Sequence, residues 1–283
     1  MPTHDHWSPD EQRLVDEVER ELNRRFPRWM REVVNPYITH MLAQNRAEVF
    51  DFSLLYGETQ QGKTLVMHLI AWILTYRHHY VPCYVTKKLA VLRSDAIDKM
   101  NNGDLNIIVD EVAERLGLQH LVATGFGGSR CKIKATSGLT YKGVDRGTIP
   151  IFLMDPSNNE RLLKWVRKLS KMVGRPQYPV FIFDEANELY STTGVTSYLR
   201  QRKISIPSEK KIGNRILVHK VMEICKQHQC GMIGVTATPQ RMFSSDPEVY
   251  PHKIFTIPCE PPRPGLVRVG YSDETTQFQG ADF

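Results

Sequence analysis

The most informative segment of this chain reads Gly57-Glu58-Thr59-Gln60-Gln61-Gly62-Lys63-Thr64. It matches the pattern G-x-x-x-x-G-K-[ST] at every fixed position. An apolar run at 50–56 precedes it, and apolar residues at helical spacing follow it at 64–76. Glycines let such a loop wrap around phosphate oxygens, while N–H groups at the start of the next helix face the anion. We expect these eight residues to bind nucleotide phosphates, with Lys63 on the outer phosphates and Thr64 as a ligand of Mg²⁺.

The composition of the chain is that of an ordinary globular protein. Of its 283 residues, 41% are hydrophobic and 24% are charged, which excludes wholesale disorder. No apolar run approaches the length that a membrane-spanning helix needs, and no secretory signal is visible. The five cysteines show no disulfide framework, so we expect reduced thiols in an intracellular compartment, either the cytoplasm or a nuclear or viral replication compartment. The net charge of +6 permits a polyanionic partner without demonstrating one.

Patterning along the chain predicts three regions. Residues 1–48 form a helical N-terminal segment, 49–257 form the nucleotide-binding domain, and 258–283 form a Pro-rich linker with a flexible tail. In the middle region, short apolar runs alternate with amphipathic helical patterns. This alternation predicts an α/β fold with a mostly parallel sheet and helices on both faces.

The N-terminal segment carries clear helix signals. Ser8 and Glu11 fit a capping box that starts an amphipathic helix over 9–25. A second helical stretch follows and is expected to break at Pro36.

A nucleotide hydrolase also needs acidic residues at a strand end. Three apolar runs end in Asp. The acids at 110–111 continue a helical pattern and are expected on a solvated helix face, while Asp155 precedes a proline and has no neighbouring Glu. The run 180–183 is continuously apolar, as in a central strand, and ends in Asp184-Glu185. We therefore assign Asp184 to Mg²⁺ and Glu185 to orienting or deprotonating water, and expect both beside the phosphate loop on neighbouring strands.

A third element points to a family. The apolar run at 231–235 ends in Thr236-Ala237-Thr238-Pro239. Together with the phosphate loop (motif I) and Asp184-Glu185-Ala186-Asn187 (motif II), this Thr-Ala-Thr (motif III) resembles the first RecA-like motor domain of superfamily 2 helicases and translocases. Within that superfamily the chain looks most like the ATPase part of the Z-one-type helicase-endonuclease proteins.

The resemblance implies an ATPase that couples hydrolysis of ATP, with Mg²⁺, to movement on DNA or RNA, with DNA favoured over RNA. It implies that Thr236, Ala237 and Thr238 couple the nucleotide site to the nucleic-acid face. Lys87 and Lys88 lie where the family contacts backbone phosphates, although lysines after a strand are often only solvated. Asn187 departs from the usual Asp or His of motif II.

Such motors also use a second RecA-like domain, which supplies an arginine finger in cis or in trans. The stretch that follows motif III is much shorter than the roughly 100–150 residues such a domain needs. Two alternatives stay open beside the helicase interpretation. One is the ATPase of a DNA-packaging terminase or restriction-type translocase, and the other is a nucleotide-gated binding or scaffold module that turns over little alone.

Overall fold

A computed structural model of the chain describes residues 8–58, 61–78, 80–87, 97–98, 101–123, 133–135, 149–154, 179–187, 222–223, 225–227, 230–243 and 250–258. Its centre is a seven-stranded sheet in the order β3-β4-β2-β5-β6-β1-β7. The strands are β1 (Phe52–Tyr56), β2 (Val81–Lys87), β3 (Ile133–Ala135), β4 (Ile149–Met154), β5 (Pro179–Asp184), β6 (Gly231–Thr236) and β7 (Lys253–Thr256). Every pairing between these strands is parallel, so their carboxyl ends share one edge. The predicted α/β architecture with a parallel sheet is confirmed.

Helices cover the sheet. They are α1 (Pro9–Arg25), α2 (Pro27–Trp29), a π-helical turn (Met30–Val34), α3 (Asn35–Arg46), α4 (Lys63–His78), α5 (Asp104–Leu116), α6 (Gln119–Ala123) and α7 (Gln240–Phe243). Buried side chains of α1, α3, α4 and α5 form one hydrophobic cluster with one face of the sheet, including Leu55, Ile182 and Val235. The alternate strand residues Leu54, Phe181 and Phe183 face the other way and are also fully buried. Burial on both faces explains why the central strands are continuously apolar.

The N-terminal helices begin as the sequence predicts. Ser8 caps α1 in a reciprocal capping box with Glu11, and the helix ends at Arg25. The predicted break at Pro36 is wrong, because the backbone stays helical through Pro36, the second residue of α3. The irregularity lies earlier, in the π-helical turn, so the helical path runs on from Pro27 to Arg46.

Ion pairs fasten α1 to the rest of the domain. Arg77 of α4 pairs with Asp16 at 2.6 Å and also with Glu19. Arg25 pairs with Glu111 of α5. Buried residues of α1, among them Leu22, lie in the same hydrophobic cluster as α4, α5 and the strands, so α1 belongs to the same core.

Two short strands were not predicted. β7 (Lys-Ile-Phe-Thr) pairs with β1 at one edge of the sheet, and β3 pairs with β4 at the other. Both strands are too short for their apolar residues to form a pattern that can be recognised in the sequence. Amphipathic patterns at 89–100, 159–173 and 216–229 also predict helices, but these stretches lie largely outside the described residues. No helix in the described part of the chain has the length and apolarity to cross a membrane.

Candidate functional site

The phosphate-loop motif lies where β1 ends and α4 begins. Gly57 directly follows β1, and its N–H donates to the carbonyl of Thr236, the last residue of β6, at 3.3 Å. A β-carbon at Gly57 would lie 3.0 Å from the side chain of Ile257, so any larger residue here would require Ile257 to shift. Thr59 and Gln60 of the motif lie outside the described residues.

Gly62 makes the turn into α4. Its φ of +77° lies in the left-handed region, which costs glycine little and other residues more. The space that a β-carbon would occupy there is filled by the indole of Trp29, with Cζ2 and Cζ3 at 3.1 Å from that point. Trp29 belongs to the N-terminal helical segment, so this segment contacts the phosphate loop directly.

Lys63 holds its ammonium group inside the loop. Nζ donates to the carbonyl of Gly57 at 3.0 Å and to that of Glu58 at 2.6 Å. Partial burial lowers the pKa of Lys63, while the carboxylates of Glu185 and Asp184 act to raise it. Lys63 therefore lies within electrostatic range of both acids of the predicted motif II, although Lys63 and Asp184 are 121 positions apart in the sequence.

The two acids end a central strand. Asp184 is the last residue of β5, and Glu185 follows it in a left-handed turn with φ of +57°. Residues other than glycine are uncommon at positive φ, where their backbone is strained. Backbone strain of this kind concentrates at functional positions. Both residues are half-buried, which leaves their carboxylates accessible at the edge of the sheet where the loop lies.

The expectation that the loop and the acids follow neighbouring strands is wrong. β6 lies between β1 and β5, so three carboxyl ends line up in the order motif II, motif III, motif I. Tyr56 pairs with Thr236, and Asp184 pairs with Val235. The intervening strand is the one that carries Thr236, so motif III lies between the other two.

A buried hydrogen-bond chain joins these motifs. Thr236 Oγ1 donates to Asn187 Oδ1 at 2.9 Å and accepts from the N–H of Thr238 at 3.0 Å. Thr236 and Asn187 are both buried, while Thr238 is exposed. These hydrogen bonds therefore connect buried Asn187, at the end of motif II, to Thr238 at the surface. Ala237, which lies between Thr236 and Thr238, is half-buried.

A close backbone approach also sets the position of motif II. A β-carbon at Gly234 in β6 would lie 2.8 Å from that of Ala186 and 3.3 Å from the ring of Phe52. Glycine at 234 and alanine at 186 therefore let the turn after β5 lie flat against β6. Neither contact is visible in the sequence, because the two residues lie far apart along the chain.

The donor set at this edge suits Mg²⁺ bound together with phosphates. Thr64 lies in the first turn of α4, exposed, and Asp184 lies at the end of β5. The described residues contain no cluster of three His, Cys, Asp or Glu side chains that would hold a metal without help. Since Mg²⁺ usually takes one or two protein oxygens plus substrate phosphates and water, a hydroxyl and one carboxylate fit it.

The other predicted positions lie elsewhere. Asp110 and Glu111 are on α5, as expected for a solvated helix, and Glu111 pairs with Arg25. Lys87 ends β2, but its side chain, Lys88 and Asp155 lie outside what the structure describes.

The chain matches no protein-family model and no curated protein sequence. Among solved structures it is similar to a DnaB-like replicative helicase whose interactions with primase were studied, at 11% identity and a TM-score of 0.37 over 69% of this chain and 41% of that one. It is also similar to the ATPase domain of a second protein, at 11% identity and a TM-score of 0.36 over 69% of this chain and 60% of that one. The chain thus spans less than two thirds of either structure.

Proposed function

We propose that this chain is an ATP-hydrolysing motor domain that acts on nucleic acid, the first RecA-like domain of a superfamily 2 helicase or translocase. One observation carries the proposal: the parallel strands β1, β6 and β5 end at one edge of the sheet, which brings the phosphate loop with Lys63 and the acids Asp184 and Glu185 to the same edge. A cation for the outer phosphates, a metal-binding carboxylate and a second carboxylate for water are the three side-chain groups that nucleoside triphosphate hydrolysis needs.

Each residue has a distinct role in this proposal. Backbone N–H groups of residues 60–64 and the ammonium of Lys63 bind the phosphates. Thr64 and Asp184 hold Mg²⁺, which when bound neutralises charge that develops on the phosphate oxygens. Glu185 orients the attacking water and accepts its proton. The preference for ATP over other triphosphates comes from the family resemblance.

The hydrogen bonds of Thr236 support coupling to a nucleic acid. Thr236 contacts motif I through its carbonyl and motif II through its hydroxyl, and its hydroxyl also anchors exposed Thr238. A change in the position of motif II on hydrolysis would therefore reach the surface at Ala237 and Thr238. We propose that this surface, with Lys87 and Lys88, contacts the nucleic acid, DNA in preference to RNA.

The second RecA-like domain of such motors would face this site and supply an arginine finger. An arginine finger contributes about 10³–10⁵ to turnover, so hydrolysis by residues 1–283 alone is expected to be slow. In this proposal residues 49–257 form the motor domain, with 1–48 as a helical segment before it and 258–283 as a linker.

Phosphate release from ATP, measured with and without single-stranded DNA, duplex DNA and RNA, tests the proposal. We expect slow basal release that requires Mg²⁺ and rises with DNA. Lys63→Ala should lower the rate of phosphate release by roughly 10²–10³. Lys253→Ala is the matched control and should leave this rate unchanged, because Lys253 begins β7 at the amino end of the strands. Tight ATP binding without stimulated turnover would instead identify a nucleotide-gated binding module. Failure to bind any nucleoside triphosphate would refute the site itself.

A further inference from the structure

The side chain of Trp29 fills the space beside the turn of the phosphate loop. An ideal β-carbon at Gly62 would overlap the indole, with Cη2 as its nearest atom and Cζ2 and Cζ3 at 3.1 Å. Since Gly62 has no side chain, the indole rests against the backbone of the residue that precedes Lys63. No residue of the G-x-x-x-x-G-K-[ST] pattern predicts this contact, because Trp29 lies about 30 residues upstream of Gly62 in the sequence.

Trp29 is itself held in place. Phe26 stacks on it with the two rings nearly parallel, at an interplanar angle of 6° and 5.8 Å between centroids. The next residue, Met30, is fully buried in the hydrophobic cluster. Trp29 also stands immediately before the π-helical turn Met30–Val34, a rare backbone form that often occurs at functional sites. The indole is therefore a fixed surface for the loop to pack on.

The indole N–H adds an independent observation. Trp29 Nε1 is buried and has no hydrogen-bond partner among the described residues. Buried donors are nearly always paired, so an unpaired one on the ring that packs against this loop is unusual. A loop segment or a ligand oxygen that reached Nε1 would satisfy it.

From this packing we infer that Trp29 is a positioning residue for the phosphate loop, and that the N-terminal helical segment is thereby part of the nucleotide site. The inference rests on the proposed function, since it concerns the same loop. Glycine is the most mobile residue, and fixing one residue's backbone costs about 1–2 kcal/mol of conformational entropy. With the indole in place, Gly62 is held in its turn before the nucleotide arrives. Without the indole, Gly62 must become ordered when the nucleotide binds, and the affinity for nucleotide falls.

Nucleotide affinity in matched variants tests this. Trp29→Ala should weaken binding of a fluorescent ATP analogue roughly tenfold, and Trp29→Phe should recover most of the loss because it keeps a ring. Met30→Ala is the control: it removes a fully buried side chain from the same segment, whereas the atoms nearest the β-carbon position of Gly62 all belong to Trp29. If Met30→Ala weakened binding as much as Trp29→Ala, the effect would be general destabilisation and the inference would be wrong. Should Trp29→Ala fail to fold, Trp29→Leu and Trp29→Phe give the same comparison.

Intrinsic fluorescence supplies a second readout that a purely structural role would not move. Nucleotide binding should change tryptophan emission in the unaltered protein and in Trp72→Phe, where the lost ring lies in the core on α4. The change should shrink in Trp29→Phe, where only Trp7, Trp72 and Trp165 remain to emit. A change of full size in Trp29→Phe overturns the inference while leaving the proposed function intact. A protein that binds no nucleotide at all removes the proposed function, and this inference with it.

Discussion

Thr236 Oγ1 donates a hydrogen bond of 2.9 Å to Asn187 Oδ1, and both side chains are buried. The same Thr236 accepts through its carbonyl from the N–H of Gly57. One residue at the end of β6 thus contacts the first glycine of the phosphate loop and the last residue of motif II. Asn187, which differs from the usual Asp or His of the family that the sequence resembles, supplies the acceptor for this bond.

Replacing Thr236 by valine should uncouple the site. Valine keeps the shape but leaves Asn187 Oδ1 and the N–H of Thr238 without their partner, which should lower the free energy of unfolding by about 1–3 kcal/mol. We expect slow basal hydrolysis to persist and stimulation by nucleic acid to be lost. Phosphate release with and without DNA, together with urea denaturation, measures both effects. Thr236→Ser keeps the hydroxyl and should behave like the unaltered protein. Full stimulation in Thr236→Val would contradict the coupling role.

Glu185→Gln should separate binding from hydrolysis. The amide keeps the size of the side chain but cannot take a proton from water, so turnover should fall by roughly 10²–10⁴ while ATP affinity is retained. Glu111→Gln on α5 is the matched control and should leave turnover unchanged. If the two variants exchanged phenotypes, the acids of motif II would have been assigned to the wrong strand.

Glu185→Gly tests whether backbone strain is stored at this acid. A left-handed φ costs a residue other than glycine about 1–2 kcal/mol, whereas glycine adds about 0.5–1 kcal/mol of unfolded-state entropy. The free energy of unfolding should therefore stay the same or rise by up to about 1.5 kcal/mol, although hydrolysis is lost. Glu111→Gly, inside a helix with ordinary φ, should instead lose about 1 kcal/mol. Equal losses in the two variants would show that the turn at 185 is unstrained.

Gly234→Ala should push motif II away from β6. The new methyl group would lie 2.8 Å from Ala186, so the turn must move, at a cost of about 1–3 kcal/mol in unfolding free energy. Turnover should fall because Asp184 and Glu185 shift with the turn. Adding Ala186→Gly should restore much of both, since it removes the clashing carbon. Thermal denaturation and phosphate release report the rescue. If the rescue were absent, the clash of the new methyl group would be with the ring of Phe52 rather than with Ala186.

Glu21 should make stability depend on pH in the acid range. Hydrogen bonds from Arg24 and then Arg25 lower the pKa of Glu21 from its ordinary value of 4.5 to about 2. Because the pKa is lower in the folded state, the ion pairs stabilise the fold above about pH 4.5, and this contribution is lost as pH falls toward 2. Glu21→Gln should be less stable at pH 7, and the difference should shrink toward pH 2. Parallel curves across this range would contradict the assignment.

Local sequence signals were enough to predict the main described elements, and the residues of the candidate site were chosen from the same signals. The helix at 9–25 followed from its capping box and apolar spacing, and β5 followed from an apolar run bounded by a proline and two acids. These signals are local because capping and periodicity involve residues within a few positions of one another. The eight-residue loop pattern is local in the same sense.

The way these pieces meet depends on long-range packing, which the sequence patterns did not predict. The fold inserts β6 between β1 and β5, brings Trp29 against Gly62, and pairs Thr236 with Asn187. Contacts of this kind join residues about 30 to 180 positions apart, and parallel pairing leaves no turn that would mark them in the sequence. Strand order and packing depend on how all the apolar faces are buried together, so the position of each motif is a property of the whole sheet.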